Sequence, residues 1–382
     1  MHERSVDAAM KLTFPHMGNA YVSVKVLLDE LKIDYYMPRY ADRASFEKGI
    51  AVSPEFMCLP FKTVIGNLIE GLENGVDTVL FGGGCGQCRL SYYGDLMQEI
   101  LKSMGFSFNY IHLDLSHLSY AEVRKKLGPL LTGKKRALIV KAVTNSVLTV
   151  FAVDRLYSYA AHVRCRELKK GEADATMKRF ETRVQNERGF HLTKAAVTQA
   201  RRALRRIQID KSVRPIKVAV IGEIFISSEP FTNLDLERRL GSLGVEVTNT
   251  MSVSAWIKEH FLHVIIPIKR RNKVIEAAHE YMKTDDFGGH GIFTVGNAEL
   301  LSRGGFDGII QIYPFTCMPE IIAQSAFGHI QQKYAVPIMT LIVDEMTGEA
   351  GFMTRLEAFC DMLLQRREKA ADEKAGGKAC NF

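Results

Sequence analysis

Four of the seven cysteines stand where a thiolate could bind a metal. Cys85 and Cys88 form a Cys-x-x-Cys pair in Gly82-Gly-Gly-Cys-Gly-Gln-Cys88, directly after an apolar strand-like run. Cys58 and Cys317 are each followed two residues later by a proline that can open a helix. Glycines let backbone amides approach the sulfurs, and a helix N-terminus stabilises their negative charge. These patterns predict that Cys58, Cys85, Cys88 and Cys317 converge on one metal centre.

Three kinds of site fit these cysteines. Four thiolates complete the ligand set of a [4Fe-4S] cluster, which is the interpretation we favour because the ligands come from both halves of the chain. Four thiolates also bind zinc, although zinc ribbons use two close pairs and this chain has one. A dithiol redox site at Cys85 and Cys88 alone is the third interpretation. We interpret the remaining thiols, Cys165, Cys360 and Cys380, as core or free cysteines rather than ligands.

Three further side chains are candidates for proton transfer beside the metal. His16 lies in the loop after the first predicted strand, and its alternative is a simply exposed histidine. Glu55 precedes Cys58 by three residues, and Glu320 follows Cys317 by three. Glu320 is equally well placed as an acid in the first turn of a helix. His16 and Glu55 are therefore the catalytic candidates.

The composition is that of a globular protein. With 382 residues, 47% hydrophobic and 24% charged, the chain is long enough for two or three domains. An odd number of cysteines gives no disulfide framework, and the first ten residues lack the apolar segment of a signal peptide, so we expect a cytoplasmic protein. No apolar run reaches the length of a membrane span. The net charge of +7 is compatible with nucleic acid, an acidic partner or an anionic substrate such as a coenzyme A thioester, and alone it selects none of them. From the sequence as a whole we expect neither nucleic acid nor a membrane as partner.

Strand and helix patterns alternate in both ends of the chain. Short apolar runs at 11–15, 78–81 and 106–112 are separated by apolar residues at helical spacing, and 137–143 also has a strand-like pattern. Residues 145–214 have a charged helical pattern, with Arg201, Arg202, Arg205 and Arg206 on either a solvated face or a surface that binds anions or a partner. Alternation resumes at 217. The pattern predicts an α/β fold with parallel sheets.

This alternation divides the chain into domains. We expect an N-terminal α/β domain over 1–144, a helical bridge over 145–214, a C-terminal α/β domain over 215–368 and a mobile tail over 369–382. Two α/β halves suggest a duplication. The repeated Cys-x-Pro at Cys58 and Cys317 supports it locally.

The motifs resemble those of a known superfamily, the iron–sulfur subunits of 2-hydroxyacyl-CoA dehydratases and benzoyl-CoA reductases. They are most similar to those of the proteins related to CoA-protein activase, also called acyl-CoA dehydratase activase-related proteins. The matching segments lie on both sides of the helical middle. They are the Cys58 loop and residues 82–88, 220–225, 229–231, 313–319 and 344–359.

The resemblance implies two flavodoxin-like domains that bind a [4Fe-4S] cluster, and an ATP-hydrolysing activator protein or another electron donor as partner. It implies ATP-coupled low-potential electron transfer, or reduction or dehydration of an acyl-CoA or small-molecule substrate. Catalytic subunits of the superfamily hold their cluster with three cysteines, so a fourth here favours electron transfer or ligand exchange. If the chain is an enzyme, it is an oxygen-sensitive iron–sulfur reductase or an acyl-CoA dehydratase-like protein.

The alternative is a non-catalytic scaffold or partner-binding protein that is stabilised by zinc or by a cluster. Either a homodimer or a heterodimer is compatible with these features.

Overall fold

The computed structural model describes residues 10–83, 88–114, 120–260, 272–284 and 288–376. Its architecture is α/β, with two four-stranded parallel sheets interleaved with helices. This confirms the predicted fold class of two flavodoxin-like parallel-sheet domains. In order along the chain, the strands are β1 Lys11–Thr13, β2 Asp34–Tyr35, β3 Thr78–Gly83, β4 Asn109–Asp114, β5 Ile216–Gly222, β6 Val245–Asn249, β7 Gly308–Pro314 and β8 Ile338–Val343.

Helices connect these strands and fill the middle of the chain. Before β5 they are Ala20–Glu30, Arg43–Val52, Leu59–Glu73, Leu90–Ser103, Tyr120–Leu131, Arg136–Arg164, Glu172–Asn186 and Phe190–Arg206. After β5 they are Ile224–Ser228, Leu236–Ser242, Val253–His260, Lys273–Ala278, Gly291–Arg303, Met318–Gln324, Phe327–Tyr334 and Glu349–Gly376. The last helix includes residues 369–376 of the predicted tail.

The two sheets have the same strand order. The first runs β2-β1-β3-β4 and the second β6-β5-β7-β8, and every pairing is parallel. In such a sheet the connections leave in opposite directions from two neighbouring strands, and ligands bind beyond the carboxyl ends of that pair. Those pairs are β1 with β3 and β5 with β7. Residues just after these four strands are therefore the expected place for a site.

The sheets are buried on both faces because helices cover them. In β7 all seven residues are buried, and in β5 all except Lys217 are. Such strands contain nearly continuous apolar runs, which is typical of parallel sheets. The apolar run of β5 also explains why the strand–helix alternation was predicted to resume at residue 217, one residue after the strand begins.

The chain forms two compact units, each of which is discontinuous in sequence. The first contains Met1–Val153 and Phe180–Thr198, and the second contains Asp154–Arg179 and Gln199–Phe382. The helices of the predicted bridge are thus divided between the two units.

The turn at residues 187–189 is held against the helix Ala20–Glu30 of the first unit. Asp29 Oδ2 accepts hydrogen bonds from Lys25 Nζ at 2.9 Å and from the amide of Gly189 at 2.7 Å. Lys25 is only 1% exposed and also donates to a carbonyl of the turn. Burial lowers the pKa of Lys25 below its ordinary value. These bonds attach a late segment of sequence to the first unit.

The strand predicted at residues 137–143 is wrong, because these residues begin the helix Arg136–Arg164. A short apolar run cannot by itself distinguish a strand from a buried helix. Buried residues recur at helical intervals along the segment, as in Ala142, Thr149, Val153 and Leu156. By length and composition alone this helix could cross a membrane, a test that the core helix of a soluble protein also passes.

Candidate functional site

Cys58 is the N-cap residue of the helix Leu59–Glu73, as the sequence predicts. Pro60 occupies the first turn, where its missing N–H costs nothing and its fixed φ favours the helix. The Cys58 side chain makes no capping hydrogen bond to the helix amides. Its sulfur is therefore not used as a cap, and it lies half-buried at the positive end of the helix dipole.

Two glycines allow this helix to pack closely against the helix that precedes it. The helix Arg43–Val52 packs on the helix Leu59–Glu73 so closely that a Cβ on Gly49 would lie 1.8 Å from the carbonyl oxygen of Lys62. A Cβ on Gly66 would lie 2.1 Å from the carbonyl oxygen of Ser45. Only glycine permits such an approach of two backbones. This backbone contact holds together the two helices that flank the Cys58 loop.

Cys88 lies between the end of β3 and the helix Leu90–Ser103. Its carbonyl oxygen accepts a hydrogen bond of 3.0 Å from the amide of Ser91, so the residue forms part of the helix start. The side chain is half-buried. Cys85 lies outside the described residues. The prediction that Cys88 follows a strand of the parallel sheet is confirmed.

Two contacts join the Cys58 loop to the segment that follows Cys88. The hydroxyl of Tyr93 is in hydrogen-bond contact with Sγ of Cys58. Arg89 donates from Nη1 to the carbonyl oxygen of Phe56 at 3.1 Å. Tyr93 is 2% exposed, and its ring packs edge-on against another aromatic ring of the unit. The fold thus brings the Cys58 and Cys88 segments together, through two residues that sequence reasoning missed.

Cys317 is also an N-cap residue, in the second unit. It precedes the helix Met318–Gln324, has Pro319 in the first turn, and makes no capping bond with its side chain. Thr316 has a φ of 69°, which turns the chain sharply out of β7. The prediction of a proline-opened helix after Cys317 is confirmed. Its sulfur is half-buried.

Cys58 and Cys317 do not occupy equivalent places in the two sheets. Cys317 follows β7, the third strand of its unit, whereas Cys58 precedes the helix that leads into β3. The counterpart of Cys317 by topology is the segment with Cys85 and Cys88, which follows the third strand of the first unit. The shared strand order supports a duplication. The repeated Cys-x-Pro does not support it, because Cys58 and Cys317 lie at different places in the two sheets.

A buried acid lies one turn into the Cys317 helix. Glu320 is 1% exposed, and its carboxylate accepts hydrogen bonds of 2.9 Å from both Thr294 Oγ1 and Gln311 Nε2. Burial raises the pKa of Glu320 to about 7, and its two hydrogen bonds oppose the rise. A network of side chains extends from this acid, since Gln324 bonds to Gln311 and to the hydroxyl of Tyr313.

A second, partly buried acid, Glu223, follows β5, the strand next to β7. Glu223 accepts hydrogen bonds of 3.0 and 2.8 Å from the amides of Phe225 and Ile226. Burial raises its pKa, and its charge contributes to the raised pKa of Glu320. Gly222 has a φ of +125°, and a Cβ on it would lie 2.0 Å from a carbonyl oxygen of β7. Glycine at this position therefore allows the carboxyl ends of β5 and β7 to lie close together.

The two catalytic candidates lie in different surroundings. His16 is completely buried after β1, where its ring lies 4.7 Å from the rings of both Tyr21 and Tyr40. Its amide donates to Asn67 Oδ1 at 3.3 Å. Glu55 is exposed in the loop before Cys58. A catalytic role for either residue stays a prediction.

The other described cysteines are core residues. Cys165 and Cys360 are each 4% exposed, and burial raises the pKa of the Cys360 thiol to about 11. Cys380 lies outside the described residues. Within the described part of the chain, no group of three or more His, Cys, Asp or Glu side chains is arranged to hold a metal ion. Of the three ligands predicted in the first unit, Cys58 and Cys88 lie within the described residues and Cys85 does not.

Large apolar side chains are exposed beside the cysteines in each unit. Phe56 and Tyr92 are 76% and 74% exposed, and they lie near Cys58 and Cys88 in sequence. Phe315, Met318 and Ile321 flank Cys317 and are at least half exposed.

No protein-family model matches the chain, and no curated protein sequence matches it.

Proposed function

We propose that the chain is a [4Fe-4S] protein whose ligands are Cys58, Cys85, Cys88 and Cys317. One observation carries the proposal: each unit places cysteine at the start of the helix that follows the third strand of the same four-stranded parallel sheet. That is the edge where open α/β sheets bind ligands. Four thiolates are the complete ligand set of a cubane cluster.

The local electrostatics suit negatively charged sulfurs. Cys58 and Cys317 are N-caps whose side chains leave the helix amides unused as capping partners. The positive ends of those helices favour thiolate over thiol. The Tyr93 hydroxyl adds a hydrogen-bond donor at the sulfur of Cys58. Donors to sulfur and an apolar surrounding are the features by which proteins adjust the potential of iron–sulfur sites.

When bound, such a cluster supplies one-electron chemistry at low potential. Around it, this chain contributes two kinds of group. Tyr93 orients and stabilises a ligand sulfur, and Glu320 is a buried acid with a pKa near neutrality that holds or releases a proton beside the Cys317 helix. This combination favours proton-coupled electron transfer, with an ATP-hydrolysing activator protein or another donor as partner. An acyl-CoA or small-molecule substrate is the expected final acceptor.

The decisive experiment is metal analysis of anaerobically purified protein. We expect about four iron and four sulfide per chain, with the absorbance of a cubane cluster that bleaches on reduction. Zinc without sulfide would overturn the proposal in favour of a zinc-stabilised scaffold or partner-binding protein. No bound metal at all would overturn it as well.

A pair of variants tests the ligand assignment. Cys317→Ser should lose cluster content or convert the cluster to a form with fewer irons, because one of four thiolates is removed. Cys360→Ala is the matched control, since Cys360 is a buried thiol outside the proposed set. Unchanged iron and sulfide in Cys317→Ser would show that the second unit contributes no ligand.

A further inference from the structure

The end of the helix Phe190–Arg206 carries four exposed arginines on one face. Positions 201 and 205, and likewise 202 and 206, are four residues apart and lie one above the other on the helix surface. The opposite face is buried through Ala196, Ala200 and Leu204. We call Arg201, Arg202, Arg205 and Arg206 the arginine patch.

The charge of the whole protein is concentrated around this patch. Residues 188–214 contain eight lysines or arginines and one acid, a net charge of +7. The chain has 50 basic and 43 acidic residues in all, so the remainder holds 42 of each and is neutral. The formal net charge of +7 is therefore the charge of a single segment of 27 residues.

Three other arginines of the second unit have carboxylate partners. Arg164 is paired with Asp174 at 2.7 Å, Arg166 with Glu246 at 2.7 Å, and Arg239 with Glu349. None of the four patch arginines forms an ion pair or a side-chain hydrogen bond with any residue in the described ranges. Other exposed arginines of the unit, such as Arg303, are also unpaired there, so the distinguishing feature of the patch is that four unpaired cations share one helix face.

Helix stability does not account for the patch. Arginines in the last turn interact favourably with the helix dipole, which gives Arg205 and Arg206 a structural role. Arg201 and Arg202 lie a turn earlier, and like charges four residues apart cost about 0.2–0.5 kcal/mol per pair. The arrangement is thus mildly unfavourable in the isolated chain, and an external anion would relieve it.

One exposed apolar residue is bonded to the chain just beyond the patch. Leu168 is 62% exposed, and its amide donates to the carbonyl of Gln208, two residues beyond the patch. Arginine is enriched at protein interfaces, and its guanidinium group is among the side chains that contribute most to binding there. Proteins that bind single-stranded nucleic acid stack bases on aromatic rings. Among Phe, Tyr and Trp, residues 188–214 contain Phe190 alone, which lies eleven positions before the patch.

We infer that the arginine patch is a docking surface for an acidic protein. Carboxylates of the partner would pair with the guanidinium groups, which bind carboxylate in a bidentate geometry. Such a surface speeds encounter and selects partners by charge. The inference does not depend on the identity of the metal at the cysteines.

Binding of a labelled glutamate-rich peptide to the full chain, followed by fluorescence anisotropy, tests the inference. The test variant replaces all four patch arginines by glutamate. The matched control makes the same change of charge at exposed positions outside the patch, in Lys135→Glu, Arg136→Glu, Lys273→Glu and Lys369→Glu. We expect about tenfold weaker peptide binding in the test variant and a change of less than about twofold in the control.

Duplex DNA of the same charge, at the same salt concentration, is the competing probe. Tighter binding of DNA than of peptide, with the same dependence on the arginines, would assign the patch to nucleic acid and overturn the inference. Equal binding by the test and control variants would overturn it too. Circular dichroism confirms folding, and replacement of the four arginines by glutamine repeats the test if the glutamate variant does not fold.

Discussion

Thr294 donates a hydrogen bond of 2.9 Å to Oε1 of Glu320, and it is one of the two donors that hold this buried acid in place. When Glu320 is protonated, its own O–H can donate to the Thr294 oxygen, while the other carboxyl oxygen still accepts from Gln311. Both contacts therefore survive protonation. The site is compatible with the acid in either state, which agrees with a pKa of about 7.

Glu320→Gln should remove a pH dependence of stability. A folded pKa of about 7, above the ordinary 4.5, means that the native state binds a proton more tightly than the unfolded chain. The stability that this group contributes is present below about pH 4.5 and is lost as pH rises towards 7, by about 3 kcal/mol. Glutamine mimics the protonated acid and does not titrate. Urea unfolding across this pH range should show a smaller decline for the variant than for the wild type.

Glu357→Gln is the control for that measurement, because Glu357 is exposed on the last helix. We expect it to follow the wild-type curve. If Glu320→Gln also followed that curve, Glu320 would not be the titrating group.

Tyr93→Phe should change the chemistry of Cys58 with little effect on the fold. The ring contact with Phe61, at 5.0 Å between centroids, is retained, while the hydroxyl beside the sulfur is removed. A hydrogen bond to sulfur stabilises thiolate, so Cys58 should react more slowly with iodoacetamide in metal-free, reduced protein. Mass spectrometry of the Cys58 peptide measures the rate. Tyr92→Phe, at the exposed neighbouring position, should leave that rate unchanged, and equal rates in all three proteins would contradict the prediction.

Gly66→Ala should separate two helices in the first unit. The new Cβ would lie 2.1 Å from the carbonyl oxygen of Ser45, and backbone on both sides leaves no flexible side chain to yield. We expect a loss of about 2 kcal/mol or more in the free energy of unfolding, together with faster labelling of Cys58. Gly351→Ala provides the comparison, since nothing lies within 4 Å of a Cβ there. Helix propensity should make that variant as stable as wild type or slightly more so.

Lys25→Met should release the turn at residues 187–189. The substitution keeps the apolar stem but removes the cation beside Asp29, which leaves a buried carboxylate with only the Tyr35 hydroxyl and the Gly189 amide as donors. Loss of one partner of a buried pair costs about 3 kcal/mol. Hydrogen exchange at the Gly189 amide should accelerate.

Lys48→Met removes an exposed pair with Glu73 and should cost less than about 1 kcal/mol. If Lys25→Met were as mild as Lys48→Met, the buried lysine would not be what holds the turn.

The helix caps at the cysteines were predictable because they depend on local sequence. Cys-x-Pro specifies a helix start within three residues, and both Cys58 and Cys317 are N-caps. The contact of Tyr93 with Cys58 joins residues 35 positions apart, and no local pattern marks it. The same applies to Gly49 and Gly66, whose role depends on the helix that each one meets.

Polarity misled the sequence analysis at buried positions. Val24 and Leu27 are among the apolar residues at helical spacing in the first helix, but both are only partly buried, while Lys25 between them is 1% exposed. A lysine is buried where specific partners receive its charge. Lys25 has one partner on its own helix, Asp29, and a second, the carbonyl oxygen of Glu187, that lies more than 150 positions away. Periodicity therefore predicted the helix correctly but not the complete set of residues it buries.

The bond between Asp29 and Gly189 affects how the chain can fold as it is synthesised. The first unit is incomplete when residue 153 has left the ribosome, because residues 180–198 belong to it. The segment 154–179, which belongs to the second unit, is made before the first unit can close. Domains usually fold one after another during translation, from the N-terminus. Here part of the second unit is synthesised before the first unit is complete, and no single cut in the chain separates one complete unit from the other.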